Sequence, residues 1–591
     1  MNLNKLKNII KKNWRGALVF FVAFLFFCGT AGYNYLTHRD GMVKWAAPDE
    51  NANYVFTKLF AETGKLQIFE KYNLIADDII VPRSFRSDQG NIKPMSFLGI
   101  ILIYGWIGKL IGVGVIPYLT PFFGALGIVF LYFAFKKIFH PNNALISTLL
   151  LAVFPPYIYY SARSMFHNVL FISLMIIALN FILEMAGKDK GWKRLFSSAL
   201  AGIFFGLGVA TRTSELMWLL PVLLFIWLAN FLRVNIFRLF VFVLFFVITM
   251  LPFLYQNNIL YGSYFSGGYV EMNKSISTLT SASTALVSTS AIGHWQEAKE
   301  FITKIKDTIF YFGFHPRQSV KMLYYYFAKM FWWIFWPGFL GLLILLAQYK
   351  KMRKRHWVYL GAGFVLSTIL ILYYGSWEFH DNPDPKSFTI GNSYTRYWLP
   401  IYIFTLPLVS LFIMKLTAGI LKILSKIINF SYQQKFLSPA FRSSLFLGAT
   451  RAIIVILAMF ISLQFVLIGS DEGLVFTLGR QKNAKAEVRE VLSLTENDSV
   501  IITKYHDKLL FPERKVIYGL FDNDEMLVRY KRLSEILPLY YYSFTFPAKD
   551  MEFLNTKRLP PFGLKIEAVK QVTGDFTLYR MSDFGSQISD F

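Results

Sequence analysis

Long apolar segments recur along this chain, and they constrain its fold more than any other feature. The first segment, residues 16–36, contains about 20 residues, which is enough for a helix to cross the hydrocarbon core of a bilayer. Only 16% of the residues are charged, whereas about a quarter would be charged in a soluble protein. The sequence therefore predicts an α-helical polytopic membrane protein. Eleven further apolar segments follow, at residues 97–113, 117–136, 143–160, 166–185, 195–211, 213–230, 239–256, 323–348, 357–374, 397–416 and 447–468.

The positions of the basic residues predict how these segments are oriented. The first 15 residues and the segment 349–356 are basic, whereas residues 37–96 contain equal numbers of acidic and basic side chains. Lys and Arg concentrate in cytoplasmic loops, so the net charge of +25 indicates membrane topology and not nucleic-acid binding. We therefore expect an integral plasma (inner) membrane protein with a cytoplasmic N-terminus.

The count of twelve segments conflicts with this orientation. Twelve crossings would return the C-terminus to the cytoplasm, whereas the basic segment 425–442 predicts that the last region lies outside. One of the short early segments is therefore miscounted, and we expect eleven or thirteen membrane helices.

Polar stretches divide the chain further. Residues 1–469 are predicted to form the membrane domain, with residues 37–96 as its first extracytoplasmic loop and residues 257–322 and 375–396 as further extracytoplasmic loops. Residues 470–591 alternate β-like and helix-like segments, a pattern typical of a small soluble α/β domain.

The first loop contains a carboxylate pair, Asp49 and Glu50, shortly after the first membrane segment. Such a pair is most often only solvated. Here it follows the apolar residues 45–48 and precedes an amphipathic pattern, which favours a helix lying in the membrane interface. The pattern comprises Tyr54, Phe56, Leu59, Phe60 and Leu66.

Ionisable side chains also interrupt two later apolar segments. Arg163 and His167 are four residues apart and would share a face of a continuous helix, while Arg212 and Glu215 lie between long apolar runs. Charged groups at membrane depth are costly, so a functional role is the first hypothesis. The alternatives are snorkelling arginines, arginines that pair helices, and a buried structural histidine.

A polar loop at residues 373–402 places Arg396 beside Tyr397 just before an apolar helix. Aromatic residues beside an arginine can form an interfacial belt and nothing more. The planar guanidinium of Arg396 is equally suited to binding a phosphate.

Six motifs occur in order along the chain: "PDE" at 48–50, "NYVFTKLFAETGKL", "KPMSFLGIIL", "YSARSMFHNVLF", "GLGVATRTSELMWLLP" and "RYWLPIY". Together they resemble the GT-C class of membrane glycosyltransferases, in particular the bacterial relatives of protein O-mannosyltransferases and lipid A aminoarabinose transferases. The chain departs from the family pattern at Lys93, where many members have "HPPL", and at His167 and Asn168, where many have an acid.

The resemblance implies transfer of a sugar, with inversion, from a polyprenyl-phosphate-linked donor to a hydroxyl of a protein, lipid or glycan acceptor on the extracytoplasmic face. Asp49 would be the catalytic base. Membrane lipids would be further partners. The substrate-binding residues would be Glu50, which orients the acceptor or holds the loop, together with Lys93, Arg163, His167, Arg212, Arg396 and Tyr397.

Two questions stay open at this point. Asp49, Glu50, His167 and His380 are suitable donors for a divalent metal, but no fixed ligand spacing appears, and no other cofactor is indicated. The alternative function is a multi-pass transporter or flippase of lipid-linked sugars or other glycoconjugates. Transporters often contain internal repeats, and this chain shows no such symmetry.

Overall fold

The computed structural model describes residues 3–187, 191–230, 234–269, 313–379, 381, 388–428, 439–469 and 472–583. Most of the expected loop 257–322 lies outside the described residues, as do His380, Asp384 and Lys386 of the later loop. The chain divides into two compact units. The bundle unit comprises Met1–Tyr33, Tyr118–Pro252 and Ser275–Phe476, and the loop unit comprises Asn34–Pro117, Phe253–Lys274 and Thr477–Phe591.

Helices dominate the chain as far as residue 494. They are interrupted early by three short strands, β1 (Ile68–Phe69), β2 (Phe85–Asp88) and β3 (Asn91–Pro94). The helices are α1 (Leu3–His38), α2 (Pro48–Thr63), α3 (Leu98–Ile111), α4 (Ile116–Ile138), α5 (Pro141–Ala152), α6 (Pro155–Arg163), α7 (His167–Met185), α8 (Trp192–Thr211), α9 (Leu216–Asn230), α10 (Ile236–Tyr261), α11 (Pro316–Leu323), α12 (Trp332–Ala347), α13 (Lys354–Gly375), α14 (Ser393–Tyr397), α15 (Leu399–Ile428), α16 (Pro439–Ile468) and α17 (Leu474–Leu494).

Within the described residues, nine helices are long and apolar enough to span a membrane. Two bent pairs, Pro141–Ala152 with Pro155–Arg163 and Pro316–Lys329 with Trp332–Ala347, raise the number to eleven when each pair counts as one span. The segment expected at 97–113 forms α3, whose 14 residues rise only about 21 Å and fall short of a bilayer core. The nine to eleven spans among the described residues make this an integral membrane protein, and the expected helical fold is confirmed.

Close helix packing in the bundle unit depends on glycine at one crossing. A Cβ atom added to Gly341 of α12 would lie 2.0 Å from the carbonyl oxygen of Leu408 in α15. Backbone atoms cannot move aside as the end of a side chain can, so only glycine allows α12 and α15 to approach this closely.

In the loop unit, α2 begins at Pro48, which fits the first helical turn because its missing N–H has no partner to lose. The helix ends at Gly64, whose φ of 74° is left-handed. Its buried face, which includes Phe56 and Phe60, packs against α3. The strands β1, β3 and β2 form an antiparallel sheet in that order, with Phe85 opposite Pro94.

The C-terminal region folds as the expected α/β domain. Its strands have the order β5–β4–β6–β8–β7, in which β5, β4 and β6 are parallel and β8 and β7 are antiparallel. The sequence predicts strands within the β-like runs and helices within the helix-like runs, and each prediction is confirmed. The β-like runs are residues 499–505, 514–520, 540–546, 562–569 and 576–581, and the helix-like runs are residues 523–537 and 548–558. The elements are β4 (Val500–Ile502), α18 (Asp507–Leu510), β5 (Lys515–Ile517), α19 (Asp524–Ser534), β6 (Leu539–Phe544), α20 (Ala548–Phe553), β7 (Leu564–Gln571) and β8 (Phe576–Asp583).

The apolar core of this domain includes residues of the first loop. Ala76 and Ile80, which are both almost fully buried, belong to the same core cluster as Val500, Ile502 and Tyr541. Residues 34–117 and 477–591 therefore form one compact unit. The division of the chain at residues 469 and 470 stays a prediction from composition.

We expect Gly341→Ala to destabilise the bundle unit, because the new methyl group overlaps the Leu408 carbonyl. Overpacking of this kind costs about 1–3 kcal/mol, which should lower the midpoint of thermal unfolding in detergent. Gly448→Ala in α16 is the control, since no atom lies within 4 Å of the added Cβ. Equal midpoints for the two variants would contradict the close approach of α12 and α15.

Candidate functional site

In the loop unit, the carboxylate of Asp49 lies in the first turn of α2 and is half-buried. Its Oδ1 accepts a hydrogen bond of 2.5 Å from the hydroxyl of Ser84. Ser84 has a φ of 66°, a left-handed conformation that is uncommon for a residue other than glycine. The orientation of the Asp49 carboxylate thus depends on an unusual backbone conformation in the segment before β2.

The neighbouring Glu50 is fully buried, and its Oε2 accepts a hydrogen bond of 3.0 Å from the backbone N–H of Ala47. Asn51 exchanges hydrogen bonds with both backbone polar groups of Trp45, at 3.0 Å and 2.7 Å. These contacts fix the apolar approach to α2. Two roles are expected for Glu50. Its hydrogen bond with Ala47 supports the role of holding the loop, and the role of binding substrate stays a prediction.

Lys44, which precedes the apolar residues 45–48, connects this segment to the C-terminal domain. Its ammonium donates to the carbonyl of Phe511 at 2.5 Å and pairs with Glu513 at 2.6 Å. Burial lowers the pKa of the Lys44 ammonium, and the negative charge of Glu513 opposes that change. Lys93, another expected binding residue, forms an ion pair of 3.1 Å with Asp88 across the turn between β2 and β3.

In the bundle unit, the segment of Arg163 and His167 is not one continuous helix. Ser164 and Met165 have φ values of 61° and 51°, so α6 ends at Arg163 and α7 starts at His167. The expectation that Arg163 and His167 share a helical face is therefore wrong. The break instead places Phe166 between the two helices.

The three expected arginines come together around two aromatic rings. The guanidinium carbons of Arg163 and Arg396 lie 5.1 and 4.7 Å from the ring centroid of Phe166. Those of Arg396 and Arg212 lie 5.2 and 4.7 Å from the ring centroid of Tyr397. All four distances are within the range of cation–π attraction. We call Arg163, Phe166, Arg396, Tyr397 and Arg212 the arginine row.

Arg212 at one end of the row is buried and paired. Its guanidinium forms a salt bridge of 2.7 Å with Glu215 and donates to the Tyr374 hydroxyl at 3.1 Å. Tyr374 in turn donates to Glu215 at 2.7 Å, and the indole N–H of Trp218 donates to the other carboxylate oxygen. The Tyr374 ring also stacks on Tyr397, with centroids 4.5 Å apart. Arg212 thus has a neutralising partner inside the protein.

The other two guanidinium groups are held by neutral hydroxyls. Arg163 donates to the Tyr159 hydroxyl at 2.8 Å, and Arg396 donates to Ser393 at 2.7 Å. The amide of Asn168, just after the α6–α7 break, donates to the backbone carbonyl of Arg396 at 3.3 Å. These contacts help to orient the row.

A small cavity of the bundle unit borders the row. It measures about 10 Å³, the size of one water molecule, and is lined by Arg212, Glu215, Arg396 and Tyr397 among others. A larger cavity of about 540 Å³ is lined mostly by apolar side chains of seven helices and shares Ile172 and Pro400 with the small one. The small cavity therefore separates the arginine row from a large apolar cavity.

The comparisons with known proteins bear on this arrangement. Residues 100–255 match the family described as dolichyl-phosphate-mannose-protein mannosyltransferase. The crystal structure of ArnT from Cupriavidus metallidurans bound to undecaprenyl phosphate is 11% identical, with a TM-score of 0.55 over 95% of this chain and 97% of that chain. The apo Archaeoglobus fulgidus oligosaccharyltransferase is 14% identical, with a TM-score of 0.54 over 93% of this chain and 71% of that chain. This protein has a GT-C fold.

The GT-C fold agrees with the resemblance found in the motifs. A further structure of the archaeal oligosaccharyltransferase AglB from Archaeoglobus fulgidus, in complex with an inhibitory peptide and a dolichol-phosphate, is 12% identical, with a TM-score of 0.50 over 93% of this chain and 70% of that chain. No curated protein sequence matches the chain.

Metal donors are sparse in the described part of this GT-C chain. Among those residues, no group of three or more His, Cys, Asp or Glu side chains lies close enough to hold a metal ion. His380 and Asp384 fall outside that part of the chain. His167, at the start of α7, is buried.

Several side chains of the site carried no usable signal in the sequence. Phe166 is one of 61 phenylalanines, and only the break between α6 and α7 shows that it contacts two arginines. Ser84 lies 35 residues after Asp49, a separation that no local pattern predicts. Tyr374 is likewise 162 residues from Arg212.

We expect Glu215→Gln to lower the stability of the protein strongly. The substitution leaves the buried guanidinium of Arg212 without its ionic partner, and breaking a buried pair costs about 3–5 kcal/mol. Thermal unfolding in detergent measures the effect. Glu62→Gln is the matched control, because Glu62 pairs with Lys58 on the surface of α2 at 3.9 Å, where a pair contributes ~0–1 kcal/mol. A shift no larger than that of the control would contradict the pairing of Arg212.

Proposed function

We propose that the protein is a glycosyltransferase that moves a sugar from a polyprenyl-phosphate-linked donor to an acceptor hydroxyl on the extracytoplasmic face of the membrane. The observation that carries this proposal is the arginine row beside a large apolar cavity. A phosphate attached to a long isoprenoid chain needs both features. The family match over residues 100–255 supports the same class of reaction.

The arginine row suits the phosphate of the donor. When the sugar leaves, the donor phosphate gains negative charge, and prearranged cations stabilise that charge best. Guanidinium groups match phosphate oxygens with two parallel hydrogen bonds. Arg163 and Arg396, which both lie against the ring of Phe166, place two guanidinium groups side by side for a phosphate to contact.

The apolar cavity suits the isoprenoid chain of the donor. Its volume of about 540 Å³ is within the range of ligand cavities, and its walls are formed by residues such as Leu131, Ile176, Val222 and Leu366. The structure of ArnT bound to undecaprenyl phosphate and that of AglB with a dolichol-phosphate support a lipid of this chemical class.

The basic residues of the bundle unit support an outward-facing site. Arg355 at the start of α13 donates to the carbonyl of Lys137 at the end of α4, and Lys137 pairs with Glu184 of α7 at 2.7 Å. Arg194, in the first turn of α8, donates to the carbonyl of Glu184. Arg212 follows the other end of α8, about 30 Å away. If the end of the bundle that contains Lys137, Arg194 and Arg355 faces the cytoplasm, the arginine row lies near the opposite face of the membrane.

Asp49 completes the proposed reaction as the base that accepts the proton of the acceptor hydroxyl. A base must have a fixed direction, and the hydrogen bond from Ser84 fixes one oxygen of the Asp49 carboxylate. With a single displacement, the sugar carbon inverts. The C-terminal domain shares a core with the loop that contains Asp49, and it therefore lies outside the membrane with it.

We expect Asp49→Asn to reduce sugar release or transfer about 10²- to 10⁴-fold, because an amide cannot accept the proton. The measurement uses purified protein in detergent with radiolabelled sugars on a short-chain polyprenyl phosphate, mannose first. Asp498→Asn is the control, since this exposed carboxylate pairs with Lys515 at the surface of the same unit. Turnover of Asp49→Asn near that of wild type would overturn the assignment of Asp49.

We expect Arg396→Lys to weaken use of the donor about 10- to 100-fold in kcat/KM, the effect of losing a hydrogen bond worth ~1.5–3 kcal/mol to a charged group. Lysine keeps the charge and loses the paired geometry. Arg451→Lys is the control, because Arg451 contacts only Thr417 on α15 among its described hydrogen-bond partners. An unchanged kcat/KM for Arg396→Lys would remove the arginine row from donor binding.

A further inference from the structure

A carboxylate of the C-terminal domain is directed at the first loop. Asp507, the first residue of α18, has a fully buried side chain. Its Oδ1 accepts hydrogen bonds from Arg83 at 2.6 Å (Nη2) and 3.2 Å (Nε). Its Oδ2 accepts from the same guanidinium at 3.1 Å and from the backbone N–H of Arg83 at 2.9 Å. One carboxylate thus binds both the side chain and the backbone of a single residue.

The residue after Arg83 is the one that orients Asp49. Ser84 holds a left-handed φ of 66° and donates its hydroxyl to Asp49 at 2.5 Å. A serine in this conformation is maintained only when its neighbours fix the backbone. The bond from the Arg83 N–H to Asp507 fixes the backbone on the preceding side.

Phe85 fixes the backbone on the following side. Its ring lies between that of Phe56 in α2, with centroids 5.2 Å apart, and that of Phe511, which follows α18, at 5.0 Å. Arg83 also lies over the ring of Tyr518, at 4.8 Å. The C-terminal domain therefore contacts the residues on both sides of Ser84.

The charges explain why this contact requires an acid. Burying the Asp507 carboxylate without a cation would be very costly, so the ion pair with Arg83 is formed whenever the domain is folded. The guanidinium of Arg83 is bound to Asp507. Asp49 instead accepts a hydrogen bond from the neutral hydroxyl of Ser84. Asp49 is thus oriented by a donor that brings no opposite charge to it.

We propose that Asp507 is a positioning residue for the reaction, which acts on Asp49 through Arg83 and Ser84. The proposal rests on the proposed function, because it takes Asp49 as the base. It gives the C-terminal domain a defined part in the chemistry, namely to fix the direction of a carboxylate that belongs to another segment of the chain.

The test compares Asp507→Asn and Ser84→Gly with Asp40→Asn in the full-length protein. Glycine adopts the conformation of Ser84 without strain and removes the hydroxymethyl group that binds Asp49. Asp40 is the control because it also binds the C-terminal domain, through Lys485 at 3.1 Å and Arg489 at 2.5 Å, and its described ion pairs do not include Arg83. The reaction measured is hydrolysis of the best short-chain polyprenyl-phosphate sugar, with water as the acceptor.

We expect Asp507→Asn and Ser84→Gly each to lower kcat roughly tenfold, the effect of one lost hydrogen bond to a charged group, with the donor KM changed less than about twofold. In an Asp49→Asn background neither substitution should lower the remaining rate further, because both act through Asp49. Asp40→Asn should keep the wild-type kcat. Hydrogen exchange of the backbone around residue 83 should increase in Asp507→Asn and stay unchanged in Asp40→Asn.

The alternative outcomes separate the two proposals. If Asp507→Asn lowers the rate equally with and without Asp49, or if Ser84→Gly keeps the wild-type kcat, Asp507 only stabilises the fold and the positioning role is overturned. If Asp49→Asn itself turns over like wild type, Asp49 is not the base and the proposed function must change first. Unaltered hydrogen exchange around residue 83 in Asp507→Asn would overturn the link to Arg83 independently of any activity.

Discussion

The cost of removing an arginine from water is the constraint on which the bundle unit depends. Arg212 is buried at the end of a membrane helix, and the salt bridge with Glu215 and the hydroxyl of Tyr374 replace its hydration. The ring of Tyr397 covers the same guanidinium and also contacts Arg396. Satisfying one charge therefore brings α8, α13 and α14 together. A row of cations beside an apolar cavity follows from that packing.

The loop unit meets the same constraint with the signs exchanged. Here a fully buried charge is the carboxylate of Asp507, and Arg83 is the cation that compensates it. Because the pair joins residues 424 positions apart, the first loop and the C-terminal domain fold as one body with a common core around Ala76 and Ile80. The carboxylate of Asp49 takes its direction from this body through Ser84. Each unit thus contains a buried ion pair beside a group that takes part in the proposed chemistry.

Prediction from the sequence succeeded where the signal is local. The length of apolar segments predicted the membrane helices, and alternation of side chains predicted all five strands of the C-terminal sheet. Prediction failed where one or two residues change the path of the chain. The left-handed residues Ser164 and Met165 separate Arg163 from His167, and α3 is too short to span because the helix stops before Gly112, whose φ is 123°. Neither the left-handed turn nor the early end of α3 changes how apolar its segment is, so a prediction from composition does not detect it.

The sequence by itself determined that this is a polytopic membrane protein with a C-terminal α/β domain, and it identified the three arginines and the carboxylate pair as the unusual charges of the chain. Only the tertiary structure decided that those arginines share Phe166 and Tyr397, that Glu215 neutralises one of them, and that Ser84 orients Asp49. The physical reason is the range of the interactions. Periodicity and apolar length are properties of a few consecutive residues, whereas a salt bridge or a cation–π contact depends on the packing of segments that are far apart in the chain.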